Sequence, residues 1–94
     1  MRAIIKRPGE HPEITEIENT LKALQGAVGG YIETFTLTNH ICVICNEEGR
    51  LLGLPHNSDF LGQSFVGTIL VVGVNPADFC DIRVEDANFV MGVL

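Results

Sequence analysis

Basic residues are scarce in this chain. Six Lys and Arg stand against twelve Asp and Glu in 94 residues, a formal net charge of -6. Binding to phosphate backbones depends on clustered cations, and here Arg2, Lys6, Arg7, Lys22, Arg50 and Arg83 are scattered along the sequence. No nucleic-acid partner is expected. Twelve acids offset by six bases also make a thin coat for a DNA mimic. Apolar runs approaching the roughly 18 residues of a membrane span are missing, so no membrane partner is expected either. Met1–Lys6 is too short, and too soon followed by charge and Pro8-Gly9, to read as a signal peptide. The expected compartment is the cytoplasm. Prolines number only four and no internal repeat is visible, which argues against a linker or a low-complexity segment. Cysteines number three, and an odd count in a cytoplasmic chain defaults to reduced thiols.

What is present is a hydrophobic excess. Apolar residues make up 46% of the chain, enough for a single core in one domain spanning residues 1–94. Ala3–Lys6 and Glu13–Glu18 read as two strands joined through the Pro8-Gly9 turn. Asn19 is placed to cap a helix over Thr20–Val28, with Leu21, Leu24 and Val28 on one face. Gly29-Gly30 stops it. Tyr31–Leu37 alternates, with Tyr31, Glu33 and Phe35 on one side and Ile32, Thr34 and Thr36 on the other. Ile41–Asn46 is a strongly apolar strand, and Glu47-Glu48-Gly49 turns it into a further strand over Arg50–Leu54. These three strands are expected to form an antiparallel meander.

Pro55–Gln63 reads as a polar loop. Gly67–Val74 is nearly continuous hydrophobe, the pattern of a strand covered on both faces at the centre of a sheet. Asn75–Asp78 breaks it, and Val84–Gly92 reads as a short helix with Val84, Ala87, Phe89, Val90 and Met91 available for packing. The fold class is α+β, a small and mainly antiparallel sheet in β-β-α-β-β-β-β-α order with two short helices.

The chemical motifs are weak. Cys42 and Cys45 have the C-x-x-C spacing of zinc and redox sites, but they lie in an apolar strand where residues three apart point to opposite faces. With Cys80 alone, the three thiols read as core packing and no metal is expected. His11, His40 and His56 fall in turns without a metal-ligand or catalytic context. Ser58, His56 and Asp59 sit too close in sequence to converge as a triad, and Ser58 lacks a G-x-S-x-G setting. Gly26, Gly29 and Gly30 end a helix, whereas phosphate loops open one. Glu47 and Glu48 read as solvated turn residues rather than paired catalytic carboxylates. Arg50 is the one cation inside the meander; it either holds a phosphate or carboxylate beside the polar loop or pairs with Glu47 or Glu48. No catalytic residue and no cofactor is expected.

Asn19-Thr20-Leu21, Leu24-Gln25, Gly29-Gly30-Tyr31-Ile32-Glu33 and Asn46-Glu47-Glu48-Gly49-Arg50-Leu51 carry a family resemblance. Ala3-Ile4-Ile5 with Pro8-Gly9, Leu54-Pro55-x-Asn57, Gly67-Thr68 and Val72-Gly73-Val74 extend it over most of the chain. In these segments the chain resembles a family of small single-domain proteins of uncharacterised function, common in phages, plasmids and conjugative elements of Gram-positive bacteria. The apolar tail Phe89–Leu94 departs most from that pattern, and it reads as an interface. The resemblance supplies no catalytic residues. It implies an accessory protein of a mobile element, of a kind that acts on host defence by binding.

The expected function is therefore non-enzymatic. The chain self-associates and binds a small nucleotide-derived signal as a counter-defence sponge, in a pocket between chains lined by Tyr31, Arg50, His56 and Asn57. The alternative is an acidic protein-interaction module that inhibits a host protein. A hydrolase using His56 and Asp59 is the weakest of the three.

Overall fold

The two most apolar runs become adjacent central strands, β4 (Ile41–Asn46) and β7 (Ile69–Val74), in a computed structural model that describes residues 1–94. They pair antiparallel through Ile41↔Gly73 to Ile44↔Leu70. A hairpin packs on one side, β1 (Arg2–Lys6) with β2 (Glu13–Glu16) beyond β7, and β3 (Ile32–Thr36) lies beyond β4, giving the order β2-β1-β7-β4-β3. All the pairings are antiparallel. β8 (Phe79–Cys80) prolongs the β1 edge of β7 by pairing with Gly73 and Val74. The α+β class is as the sequence implies.

Both faces of the sheet are covered, so β4 and β7 lack a polar side. Helix α1 (Leu21–Val28) lies on one face, where Leu24 and Val28 pack with Ala3, Cys42, Ile44, Leu70 and Val72. The other face buries Ile4, Ile41, Val43, Cys45, Ile69 and Val71 under two elements. One is helix α2 (Val84–Val93); the other is a separate hairpin of β5 (His56–Phe60) and β6 (Gln63–Val66). Cys42 and Cys45 thus fall in opposite hydrophobic clusters, as the two-residue period of a strand requires. No helix is long and apolar enough to cross a membrane.

Five expectations are corrected. The N-cap of α1 is Thr20, whose Oγ1 accepts from the Ala23 N–H at 3.2 Å, and not Asn19. Asn19 instead donates to the Phe79 carbonyl at 3.1 Å and ties the helix start to β8. Leu21 does not join Leu24 and Val28 in the core; at the first position of the helix it stays exposed.

Arg50–Leu54 forms no strand. Residues 47–53 coil through successive turns, with the Leu52 N–H bonded to the Glu48 carbonyl and the Leu54 N–H to that of Gly49. The reason is topological: both edges of β4 are taken, by β3 and β7, so no further strand can dock on it. The expected loop 55–63 is instead the start of the β5–β6 hairpin, closed by Leu61 and Gly62 at φ 47° and 82°. Two successive positive φ values make the type I′ geometry that matches strand twist. In α2, Ala87 and Val90 are buried as expected, whereas Val84 and Phe89 stay largely exposed.

Candidate functional site

Helix α1 ends where Gly29 adopts φ 81°, a left-handed conformation that glycine reaches without a Cβ penalty. The N–H groups of Gly29 and Gly30 both turn back to the Gln25 carbonyl, at 2.8 and 3.2 Å. The Gly26 carbonyl is consequently left without a protein donor. The chain then enters β3 through Tyr31, whose carbonyl accepts from the Glu47 N–H at 2.8 Å and so prolongs the β3–β4 ladder by one pair.

Asn46 locks this region. It is 6% exposed at the end of β4. Its Nδ2 donates to the Val28 carbonyl at 3.2 Å, and its Oδ1 accepts from the Glu48 N–H at 2.8 Å. One buried amide therefore joins the helix end to the start of the 47–53 turns. Leaving such partners unsatisfied costs about 1–3 kcal/mol each. A Cβ on Gly30 would lie 2.9 Å from Asn46 Nδ2, so the glycine permits this close approach.

Between these walls lies a cleft of about 480 Å³, lined by Gln25, Gly26, Gly29, Gly30, Tyr31, Asn46, Glu48 and Leu52. Its chemistry is asymmetric. Glu48 and the Gly26 carbonyl are acceptors, the helix presents its negative end, and no Lys or Arg lines it. Tyr31 is 65% exposed and supplies an aromatic face. The arrangement suits a planar group with hydrogen-bond donors and disfavours a phosphate.

The four residues expected to form the site are not brought together. Tyr31 lines this cleft. Arg50 lines a second, smaller one of about 110 Å³ with Glu33, Glu47 and Ser64, and its Nη2 donates to the Ser64 carbonyl at 2.8 Å. It makes no ion pair with Glu47 or Glu48. His56 and Asn57 lie on β5 and line neither cleft. The β5–β6 register shifts between His56 and Ser58, and the Asn57 amide donates to the carbonyls of Lys6 and Gly67, both at 2.8 Å. Asn57 clips the hairpin to the end of β1.

His56 and Asp59 do meet, at 3.1 Å between Nε2 and Oδ1, and both are exposed. Their hydrogen bond holds the Asp59 carboxyl below its ordinary range, with a smaller contribution from Ser64. The Ser58 hydroxyl donates to Asn57 Oδ1 rather than turning to the imidazole, so the triad is not assembled. Sequence reasoning missed Asn46 and Glu48 as members of one site. Their signal was the Asn-Glu-Glu-Gly turn itself, in which an Asn ending a buried strand is free to cap the turn after it.

The buried thiols have a measurable consequence. Burial pushes Cys45 up to about 11 from 9.0, Glu33 adding to the rise and Arg50 opposing it, and burial likewise raises Cys42. An unfolded thiol loses its proton near pH 9 while the folded one keeps it. The contribution to stability is therefore complete below pH 9 and disappears as pH rises towards 11. The midpoint of urea unfolding should fall between pH 8.5 and 10.5, and fall less in Cys45→Val. Equal falls in both proteins would contradict this account of Cys45.

No curated protein and no solved structure matches the chain. A family model does, over residues 1–93, so the chain belongs to the DUF3846 family, a domain of unknown function.

Proposed function

We propose that this protein is a non-catalytic binding module that holds the base end of a nucleotide-derived signalling molecule in the Tyr31 cleft. The observation that carries this reading is an exposed aromatic ring on a cleft of about 480 Å³ whose other walls are glycine backbone, Leu52, two side-chain amides and a single charge, the Glu48 carboxylate. Base stacking on an aromatic side chain contributes about 1–3 kcal/mol. With no cation in the cleft, the phosphates remain in solvent. In the setting of phages, plasmids and conjugative elements of Gram-positive bacteria that the sequence resemblance implies, such a protein withdraws a host immune signal from circulation. Self-association belongs to the same reading, supported by Phe89 and Val93 exposed on α2.

The test is calorimetric titration of the purified protein with nucleosides and cyclic dinucleotides. At least one member of the panel should bind, and Tyr31→Ala should weaken it about tenfold, as loss of a stacked base implies. Failure of every member to bind refutes the reading.

A second reading has an observation of its own. Leu51 and Leu52 are 88% and 60% exposed beside Glu47 and Glu48, a combination that fits an acidic module docking on a host protein. A host protein captured at low salt, and lost at high salt or with Leu51→Asp, would favour it.

A further inference from the structure

The donors and acceptors of the cleft decide which base it takes, on the proposal above that a base enters it. Glu48 is an acceptor-only group with two oxygens, and it is the only charged residue in the lining. The neighbouring Gly26 carbonyl is a further acceptor with no protein donor. Asn46 gives one Nδ2 hydrogen to the Val28 carbonyl and accepts from the Glu48 N–H at Oδ1, so it positions Glu48. Gln25 remains, with an amide that makes no hydrogen bond of its own to the protein and is free to donate.

A carboxylate accepting two bonds side by side needs two adjacent donors on one edge. Adenine offers a single amino group beside an acceptor nitrogen, and cytosine offers the same. Uracil offers one N–H flanked by two carbonyls. Guanine alone places a ring N–H and an amino group next to each other, with a carbonyl on the far side of the ring N–H. We infer that the cleft is selective for guanine: Glu48 accepts from the ring N–H and the amino group, Gln25 donates to the carbonyl oxygen, and Tyr31 stacks. The guanidinium of an arginine presents a similar donor fork. A volume of about 480 Å³, however, falls in the range of small-molecule sites and exceeds what one arginine side chain fills.

The test uses uncharged nucleosides, so that phosphate contacts play no part. Guanosine should bind about 5- to 150-fold tighter than adenosine, the span of one bidentate pair. Inosine, which keeps the ring N–H and lacks the amino group, should fall between them. Glu48→Gln should lower guanosine affinity by a similar factor and raise that of adenosine, whose amino group and adjacent ring nitrogen match the acceptor and donor of an amide. The melting temperature should stay unchanged, since Glu48 is an exposed turn residue. Adenosine binding as tightly as guanosine, still weakened by Tyr31→Ala, would overturn the guanine assignment and leave the base-binding reading standing. Arginine amide binding in place of every nucleoside would overturn both and turn attention to a protein partner.

Discussion

Gly73→Ala should be among the most damaging single-methyl changes available in this protein. Gly73 lies on β7, paired with Ile41 of β4 on one edge and with Cys80 of β8 on the other. A Cβ there would stand 2.3 Å from the Asp81 carbonyl oxygen and 3.0 Å from Cys80 Sγ. The first of these is backbone and cannot swing aside. What it would displace is a junction: Asp81 Oδ1 accepts from the Arg2 N–H at 2.7 Å, and the Ile82 N–H donates to the Arg2 carbonyl at 2.9 Å. Arg2 returns the contact through its guanidinium to the Ile82 carbonyl, and Ile82 itself is fully buried. Moving Asp81 therefore loosens the attachment of β8 and the start of α2 from β1.

Overpacking of this kind costs about 1–3 kcal/mol, occasionally more. In a domain of this size that corresponds to a fall of roughly 4–8 °C in Tm per kcal/mol. Gly26→Ala supplies the contrast. Gly26 sits inside α1 with nothing near its missing Cβ, so alanine there should stabilise by about 0.5–1 kcal/mol. Opposite signs in thermal melts support the packing argument, and a neutral Gly73→Ala would sink it.

The contrast between these glycines shows which parts of the fold can be read locally. Ile41–Asn46 and Gly67–Val74 announce buried strands because runs dominated by apolar residues need cover on both faces. The helix stop at Gly29-Gly30 is equally local, since one residue's φ decides it. Leu51-Leu52-x-Leu54 misleads because its strand pattern lacks a vacant edge, and edge occupancy depends on β7, about twenty residues further on. Arg50 misleads for a related reason: its partner is a backbone carbonyl on a hairpin that the polar sequence 55–63 conceals.

The site divides in the same way. Tyr31 was legible as a pocket residue directly after a helix stop, and its exposure is what the fold adds. Asn57 looked like a ligand-binding amide and is instead consumed by two carbonyls, one of them 51 residues away in the chain. Glu48 was legible only as a solvated turn acid, because the cleft beside it exists only once Asn46 has reached the helix end.

Phe65→Ala should cost about 3–5 kcal/mol, the range for emptying a phenylalanine site in a core, and its effect should be concentrated in one element. Phe65 is 3% exposed on β6 and packs edge-to-face on Phe35 of β3, with ring centroids 5.6 Å apart. Phe60 is the hairpin's other buried aromatic and meets Phe89 of α2 at 6.2 Å. A two-stranded hairpin is at best marginally stable in water by itself. This one shares no ladder with the main sheet. It is held by those two rings, by the Asn57 amide on the Lys6 carbonyl of β1 and by the Arg50 bond to the Ser64 carbonyl. Removing the Phe65 ring takes away one of the two apolar anchors and leaves the polar clips to hold an unfilled face. In hydrogen exchange, the amides of residues 56–66 should lose protection well before those of β4 and β7, while Phe65→Leu restores most of it. Uniform loss across the molecule would mean that the hairpin and the sheet unfold as one unit, and that the hairpin's grip on the core does not depend on its aromatic anchors.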